Sequence, residues 1–215
     1  MMQKLKLKKN NYPGALIVFE GTDGAGKTTL ISMTAKLLKE KLGEGEILCL
    51  KQPTDLSRKT KLFQKMMYSE NHSDIDYRAV QLLTMSDRIQ HGFETIEPAL
   101  KEGKIVICDR YIYTSYVNML ARNYTREKWF NEIAKNIIKP TVSFLAYVDP
   151  KIAINRIKSR PEEASRYLDE KLITKVAAIF KKLALKEKFT ILDTKNDPNF
   201  AFEVIKYVLN EKGIF

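Results

Sequence analysis

The chain has 215 residues, of which 44% are hydrophobic and 29% are charged, and its formal net charge is +11. These values predict one globular domain and argue against a disordered or membrane-spanning chain, because no apolar run reaches the length of a bilayer. The positive charge leaves nucleic-acid binding open, but no basic run alternates with aromatic residues, so we favour a lysine-rich surface and expect no stable nucleic-acid or membrane complex.

Residues 1–13 are basic and are expected to form a flexible tail before a single domain at residues 14–215. Leu5 and Leu7 alternate with lysines, so the apolar core of a signal peptide is missing and we expect a cytoplasmic protein. Cys49 and Cys108 lie in apolar segments and are predicted to be buried, reduced thiols. With two histidines far apart, a zinc site is not expected.

The first recognisable unit is an apolar run, Ala15–Phe19, followed by a glycine-rich motif and an amphipathic helix that continues to Leu42. Gly21–Thr28 reads G-x-x-x-x-G-K-T, the P-loop pattern. Backbone N–H groups and a helix N-terminus converge at such a turn and attract phosphate. The motif predicts that Lys27 reaches the β- and γ-phosphates and that the Thr28 hydroxyl holds Mg²⁺.

The rest of the chain alternates strands and helices. Further strands are predicted at residues 46–51, 104–109, 142–148 and 189–192, and helices at 56–70, 74–103, 125–139, 149–158, 169–187 and 197–213. This order predicts an α/β, three-layer P-loop NTPase fold with a five-stranded parallel sheet and helices on both faces. Ligands of such sheets bind at the carboxyl ends of the strands.

Three charged groups outside the P-loop are candidates for chemistry. Asp109 and Arg110 follow the third strand directly, where a carboxylate can hold the waters of Mg²⁺ and an arginine can bind a second phosphate. Asp87-Arg88 lies within a helix and reads equally well as a ligand-binding arginine or as a surface pair. Residues 157–168 form a proline-broken, arginine-bearing segment that predicts either a cationic lid or a solvated loop; its charged residues are Lys158, Arg160 and Arg166.

Thr194-Lys195-Asn196-Asp197 imitates the guanine-reading motif of GTPases. Asp197 precedes Pro198, however, and is better explained as the N-cap of the last helix. A P-loop ATPase or GTPase that acts as a switch or nucleic-acid motor is therefore a less favoured alternative.

The segment from Phe19 to Thr29 resembles the opening of thymidylate (dTMP) kinases. Pro53, Asp87-Arg88 and Asp109-Arg110-Tyr111 follow in the order and spacing of that family, and the resemblance covers the chain from Ala15 onward. It implies transfer of the γ-phosphoryl group of ATP to dTMP, with Mg²⁺ as cofactor, and suggests a homodimer. No arginine lies inside this P-loop, so Arg160 and Arg166 are the candidates for a catalytic arginine beside Lys27, Asp109 and Arg110.

The motif and the resemblance together give the expected binding residues. ATP is expected at Gly21, Thr22, Asp23, Gly24, Ala25, Gly26, Lys27, Thr28 and Thr29. The monophosphate is expected at Asp23, Gln52, Pro53, Thr84, Arg88, Arg110, Thr114, Ser115 and Asn118. Mg²⁺ is expected at Thr28 and, through water, at Asp109.

The acceptor side departs from the family at several positions. The family usually has an aromatic residue where this chain has Thr84, an alanine-tyrosine pair at Val117 and Asn118, and glutamate at Gln52; an acidic residue is also usual at Leu168. These departures keep open a related kinase that phosphorylates another nucleotide or a nucleoside.

Overall fold

The computed structural model describes residues 3–161 and 167–215. Within these residues five parallel strands form one sheet in the order β2–β3–β1–β4–β5. The strands are β1 (Ala15–Glu20), β2 (Ile47–Lys51), β3 (Ile105–Asp109), β4 (Val142–Tyr147) and β5 (Thr190–Asp193). The predicted fold class is thereby confirmed.

Helices cover both faces of the sheet, as expected for central strands that are apolar on both faces. They are α1 (Lys27–Leu42), α2 (Asp55–Arg58), α3 (Lys61–Tyr68), α4 (Tyr77–His91), α5 (Glu97–Lys101), α6 (Ile112–Ala121), α7 (Lys128–Ala134), α8 (Pro150–Lys158), α9 (Glu170–Glu187) and α10 (Pro198–Glu211). A π-helical turn, Gly92–Ile96, joins α4 to α5, and a short 3-10 turn, Glu44–Glu46, precedes β2.

The core is divided by the sheet into two halves. Ile17 and Phe19 of β1 point into the half that α1 and α10 cover. Leu16 and Val18 point into the other half, which is packed by α4, α6 and α9. Because successive side chains of a strand alternate in direction, β1 is buried on both faces and its end is fixed at the centre of the domain.

Helix α6 was not predicted, and the helix predicted at residues 125–139 is confined to Lys128–Ala134. Seven of the ten residues of α6 are buried: Ile112, Tyr113, Ser115, Tyr116, Val117, Met119 and Ala121. A helix that is enclosed on most sides has no polar stripe, so its sequence lacks the periodicity by which helices are recognised.

The basic segment before β1 was expected to be flexible, whereas residues 3–13 make specific contacts with the domain. Leu5 is buried, and its backbone N–H donates to Glu187 Oε1 at 2.9 Å. Lys8 forms a parallel bridge with Ile138. The alternation of leucine and lysine directs apolar side chains inward and charged ones outward, as in an edge strand.

The two cysteines differ in their environment. Cys108 is buried as predicted, but Cys49 is exposed, because β2 lies at the edge of the sheet and its side chains have a neighbouring strand on one side only. Among the described residues, no helix is both long enough and apolar enough to cross a membrane.

Candidate active site

A cavity of about 440 Å³ opens at the carboxyl ends of β1 and β3. It extends from the P-loop, past the end of β3, to the walls formed by α4 and α6. Sixteen residues expected from the sequence line it: Thr22, Asp23, Gly24, Gly26, Lys27, Thr28, Thr29, Pro53, Thr84, Arg88, Asp109, Arg110, Thr114, Ser115, Asn118 and Arg160. The donor and acceptor halves expected from the sequence therefore face one space.

The P-loop is fixed against helix α8. Gly24 has a φ of 75°, in the left-handed region that favours glycine. A Cβ atom at Gly24 would lie 2.2 Å from the carbonyl oxygen of Ala153, so a side chain there would collide with the α8 backbone. Gly24, the third of the four residues between Gly21 and Gly26, must therefore be glycine if the loop is to pack this closely on α8. In this position the loop backbone can surround a phosphate.

Lys27 is folded onto the loop that carries it. Its Nζ donates to the carbonyl oxygens of Thr22 at 2.8 Å and Gly21 at 3.2 Å, and the side chain is buried. Burial, reinforced by the positive charge of Arg110, lowers the pKa of Lys27 to about 8, against the opposing effect of the nearby carboxylates. A bound polyphosphate would supply the negative charge that this ammonium group needs.

Asp109 and Arg110 turn the chain out of β3 toward the P-loop. Arg110 has a φ of 66°, a left-handed conformation that is uncommon outside glycine. Its Nη1 donates to the Gly21 carbonyl at 2.9 Å and to Thr114 Oγ1 at 3.3 Å, while its Nη2 forms an ion pair with Asp23. Burial lowers the pKa of Arg110, but the carboxylates of Asp23, Asp109 and Glu20 outweigh it and raise that pKa.

Glu20 is a site residue that sequence reasoning missed. Its fully buried carboxylate accepts hydrogen bonds from the backbone N–H groups of Tyr111 at 2.9 Å and Thr114 at 3.1 Å, and from the Thr114 hydroxyl. Burial raises the pKa of Glu20, although these hydrogen bonds and Arg110 act in the opposite direction. Glu20 thus fixes both the turn that bears Arg110 and the start of α6. The sequence feature that could have identified Glu20 as a site residue is a carboxylate at the end of an apolar strand.

Asp87 and Arg88 are both buried, so the interpretation as a helix-surface pair is wrong. Arg88 donates to the carbonyl oxygens of Thr84 at 3.0 Å and Tyr111 at 3.2 Å, while its Nε is buried without a hydrogen-bond partner. An unsatisfied donor at a cavity wall is suited to an acceptor atom of a ligand.

The acceptor end of the cavity is more polar than the family pattern predicts. Asn118 donates to the Thr114 carbonyl at 2.9 Å and accepts from Arg122 Nη1 at 2.8 Å. Arg122 in turn lies over the ring of Tyr77, with its Cζ 4.0 Å from the ring centroid. Thr84 is buried beside Gln81 and occupies the position at which an aromatic residue was expected.

Several of the expected residues do not line the cavity. Gln52 is fully buried, and its Nε2 faces His91 Nδ1 at 3.1 Å. Gly21 and Ala25 belong to the loop but not to the cavity lining, and the Gly21 carbonyl accepts from Lys27 and Arg110. In the arginine-bearing segment, Arg160 lines the cavity, Lys158 Nζ instead pairs with Glu170 Oε1 at 2.6 Å, and Arg166 lies outside the described residues.

Thr194 and Lys195 lie behind the P-loop. Arg156, which the sequence did not single out, links them to it by donating to the carbonyls of Gly24 at 3.4 Å, Thr194 at 2.9 Å and Lys195 at 3.3 Å. Asp197 accepts from the backbone N–H of Asn199 at 2.9 Å and so caps α10. The predicted capping role of Asp197 is confirmed, and it accounts for the guanine-motif similarity.

Thr28 and Asp109 are suited to a magnesium ion bound with ATP. Both line the cavity, and Asp109 Oδ1 is buried without a hydrogen-bond partner. Among the described residues, no group of three or more histidine, cysteine, aspartate or glutamate side chains could hold a metal by itself. Mg²⁺ at phosphate-transfer sites usually needs only one or two protein oxygens, because phosphates and waters supply the rest.

Comparison with protein families gives a match to the model described as thymidylate kinase over residues 19–205. The chain is 38% identical over 150 residues to the probable thymidylate kinase of Pyrococcus horikoshii, covering 68% of this chain and 71% of that protein. It is 31% identical over 196 residues to the thymidylate kinase of Wolbachia pipientis wMel, covering 88% and 97%.

Its fold is similar to the crystal structure of thymidylate kinase from Ehrlichia chaffeensis. The TM-score is 0.66 at 23% sequence identity, with 92% of this chain and 98% of that chain covered. At this level of identity the likeness concerns the arrangement of the sheet and its helices.

Proposed function

The chain belongs to the thymidylate kinase family, and from that premise we propose that it transfers the γ-phosphoryl group of ATP to dTMP. The proposal rests on one observation: the P-loop residue Lys27, Arg110 and Arg88 all line the same cavity. Phosphoryl transfer needs the reacting phosphates of the two nucleotides to be aligned and their negative charge to be neutralised. The protein need not form a covalent bond to either nucleotide.

We assign the donor half to the P-loop, Gly21–Thr29. Its backbone N–H groups and the N-terminus of α1 would surround the β- and γ-phosphates. Lys27 would leave the carbonyls of Gly21 and Thr22 for the phosphate oxygens. Thr28, and Asp109 through water, would hold Mg²⁺, which would offset the negative charge of the phosphates when bound.

We assign the acceptor half to residues beyond the end of β3. Arg110 would bind the phosphate of dTMP in a forked geometry, and Asp23 would approach the sugar. The unsatisfied Nε of Arg88 supports a contact with a carbonyl oxygen of the base, and Ser115 also lines this cavity. Arg160 would supply positive charge to the transferring group, with Arg166 as the alternative source.

A related kinase with a different acceptor is the second candidate. Thr84 in place of an aromatic residue, and Asn118 bound to Arg122, support it because both alter the pocket where base and sugar would be recognised. A nucleoside acceptor would leave Arg110 without a phosphate to bind.

We also propose a homodimer in the cytoplasm, where ATP and dTMP would be available. Leu82, Ile89 and Phe93 are exposed along α4 and the π-helical turn that follows it. Exposed apolar side chains on neighbouring helical turns are suited to burial against a second copy. Sedimentation at several protein concentrations tests this; a monomer throughout would contradict it.

A coupled ADP-release assay across dTMP, dUMP, UMP, CMP, AMP, GMP and thymidine tests the function. We expect the highest kcat/KM with dTMP. Turnover at background level with every acceptor would overturn the proposal, and a preference for thymidine would contradict the role of Arg110. ATP hydrolysis that is stimulated by DNA or RNA, but not by any monophosphate, would favour the ATPase alternative.

A further inference from the structure

Arg122 is a cavity residue to which neither the sequence nor the family resemblance gave a role. It follows the last residue of α6, and its guanidinium lies over the ring of Tyr77, with Cζ 4.0 Å from the ring centroid. Its Nη1 donates to Asn118 Oδ1 at 2.8 Å. We propose that the base of the acceptor nucleotide stacks on Arg122, which takes the place of an aromatic side chain at Thr84; the inference rests on the proposed function.

Helices α4 and α6 run antiparallel along one wall of the cavity. At one end of this wall, Arg88 donates to the carbonyl oxygen of Tyr111, the residue before α6. At the other end, Arg122 lies on Tyr77, the first residue of α4. The two arginines therefore come from opposite ends of the same wall, and both line the cavity.

Both arginine side chains reach back along their own helices toward the middle of the wall. Arg88 Nη1 donates to the carbonyl oxygen of Thr84, one turn before it in α4. Arg122 donates to Asn118, one turn before it in α6. Because the helices are antiparallel, these two displacements bring the guanidinium groups toward each other. A ligand that contacts Thr84 and Asn118 would lie between them.

The two guanidinium groups offer different surfaces to a ligand. Arg88 is buried and keeps one unsatisfied donor, Nε, which is suited to an acceptor atom on the edge of a base. Arg122 is half-buried, and Tyr77 covers one face of its planar guanidinium, so the opposite face is available to the face of a base. Thr84 has a short side chain and leaves the space that an aromatic ring at its position would fill.

The surface that Tyr77 and Arg122 form is held in place before a ligand arrives. Tyr77 is buried, and its ring also packs against that of Tyr124 at a centroid distance of 6.2 Å. The Asn118 amide donates to the Thr114 carbonyl at 2.9 Å, and this bond orients the oxygen that accepts from Arg122. A planar group that is held by two contacts loses little conformational freedom when a base stacks on it.

A purely structural arginine is the competing interpretation, since Nη1 of Arg122 also lies 3.5 Å from the Asn118 carbonyl at the end of α6. The two roles differ in what they predict for ligands with and without a base. A stacking contact acts on dTMP and thymidine and leaves deoxyribose 5-phosphate unaffected. A structural contact supports the pocket for all three ligands.

The test compares Arg122→Met, which keeps an unbranched stem over Tyr77 but loses the plane, with Arg122→Lys, which keeps the charge without the plane. Arg78→Met is the matched control, because Arg78 also lies near a tyrosine ring, that of Tyr124, and does not line the cavity. Calorimetry gives Kd for dTMP and thymidine, and competition with dTMP gives the inhibition constant of deoxyribose 5-phosphate. The coupled assay gives KM for ATP, and urea denaturation measures folding.

We expect Arg122→Met to raise Kd for dTMP and for thymidine about 10-fold each, with KM for ATP and the inhibition constant of the sugar phosphate within about 2-fold of the parent. Arg122→Lys should also weaken dTMP, because an ammonium group has no plane, and Arg78→Met should match the parent. Unchanged dTMP affinity in Arg122→Met, or equal weakening of dTMP and the sugar phosphate, would overturn the inference. Should Arg122→Met fail to fold, Arg122→Lys replaces it, and a Kd for dTMP equal to the parent's would then overturn the inference.

A second comparison tests whether Arg122 takes the place of the aromatic residue. Thr84→Phe, added to Arg122→Met, returns a flat apolar surface to the wall of the same cavity. We expect the Kd of this double variant for dTMP to return to within about 3-fold of the parent. A folded double variant that binds dTMP no better than Arg122→Met would overturn the proposed replacement.

The parent enzyme separates this inference from the proposed function. If the parent prefers another monophosphate to dTMP, the substrate proposal fails, and the comparison is made with that monophosphate and its nucleoside. If the parent binds no nucleoside monophosphate at all, both proposals are overturned.

Discussion

Asp87 holds Thr54 through two hydrogen bonds, one from the backbone N–H to Oδ2 at 2.8 Å and one from the hydroxyl to Oδ1 at 2.9 Å. The contact joins the middle of α4 to the start of α2. It explains why a carboxylate is buried next to Arg88 without pairing with it. Asp87 organises the segment that carries Pro53 and Arg58, and Arg88 faces the cavity.

Asp87→Ala is expected to lower the free energy of unfolding by roughly 3 kcal/mol, since it removes a charged acceptor and leaves buried donors unsatisfied. Urea denaturation measures the change. Asp55→Ala, which removes an exposed carboxylate from α2, is the control and should leave the urea midpoint unchanged. Equal midpoints for the Asp87 and Asp55 variants would contradict the supporting role of Asp87.

Glu20→Gln is expected to destabilise the fold by about 1–3 kcal/mol, because an amide is a weaker acceptor for the N–H groups of Tyr111 and Thr114. Glu187→Gln is a suitable comparison. Its half-buried carboxylate accepts the backbone N–H of Leu5, so we expect a smaller loss. A larger effect at Glu187 in urea denaturation would show that Glu20 does not secure the start of α6.

Lys27→Met is expected to abolish turnover and to change how stability depends on pH. Folded Lys27 loses its proton near pH 8, whereas the unfolded chain retains it to about 10.5. Between these values the unfolded state binds more protons, so the stability of the parent rises with pH relative to the variant. Between pH 8 and 10.5 the free energy of unfolding of the parent is expected to rise by about 3 kcal/mol relative to that of Lys27→Met, since one unit of pKa corresponds to about 1.4 kcal/mol.

Urea denaturation of the parent and Lys27→Met at pH 7, 8, 9 and 10, without nucleotide, measures this difference. Ionisation of other groups affects both proteins and cancels in the comparison. A constant stability difference across this range would indicate that folding does not lower the pKa of Lys27.

Arg156→Met is expected to raise KM for ATP about 10-fold, because three carbonyl contacts that fix the P-loop to the Thr194 segment are lost. KM for dTMP should change less. Lys151→Met, on the first turn of the same helix and exposed, serves as the control. A selective rise in KM for dTMP would place the effect of Arg156 on the other half of the cavity.

The sequence was most informative where a site consists of neighbouring residues. The P-loop and the Asp109-Arg110 pair are contiguous and follow apolar strands, so their positions could be predicted from strand order alone. The N-caps Asp149 and Asp197 were likewise predictable, since proline follows each of them.

What could not be predicted depends on contacts between distant segments. Glu20 acts on residues 91 and 94 positions away, and Arg58 enters the cavity from a helix of four residues. Helix α6 has no polar stripe because its neighbours enclose it. From the residues alone, Arg88 could be either a ligand-binding arginine or part of a surface pair, because sequence spacing does not reveal which side of α4 is covered by α6.

The contacts of residues 3–9 have a consequence for the order of folding. Gln3 bonds to Tyr116, 113 positions away, and Leu5 bonds to Glu187, 182 positions away. During synthesis residues 3–9 emerge before their partners exist, and the backbone of Leu5 finds its partner only after a further 182 residues have been added. Residues 3–9 are therefore made before the segments that they contact, and they can dock only after α9, which carries Glu187, has been made.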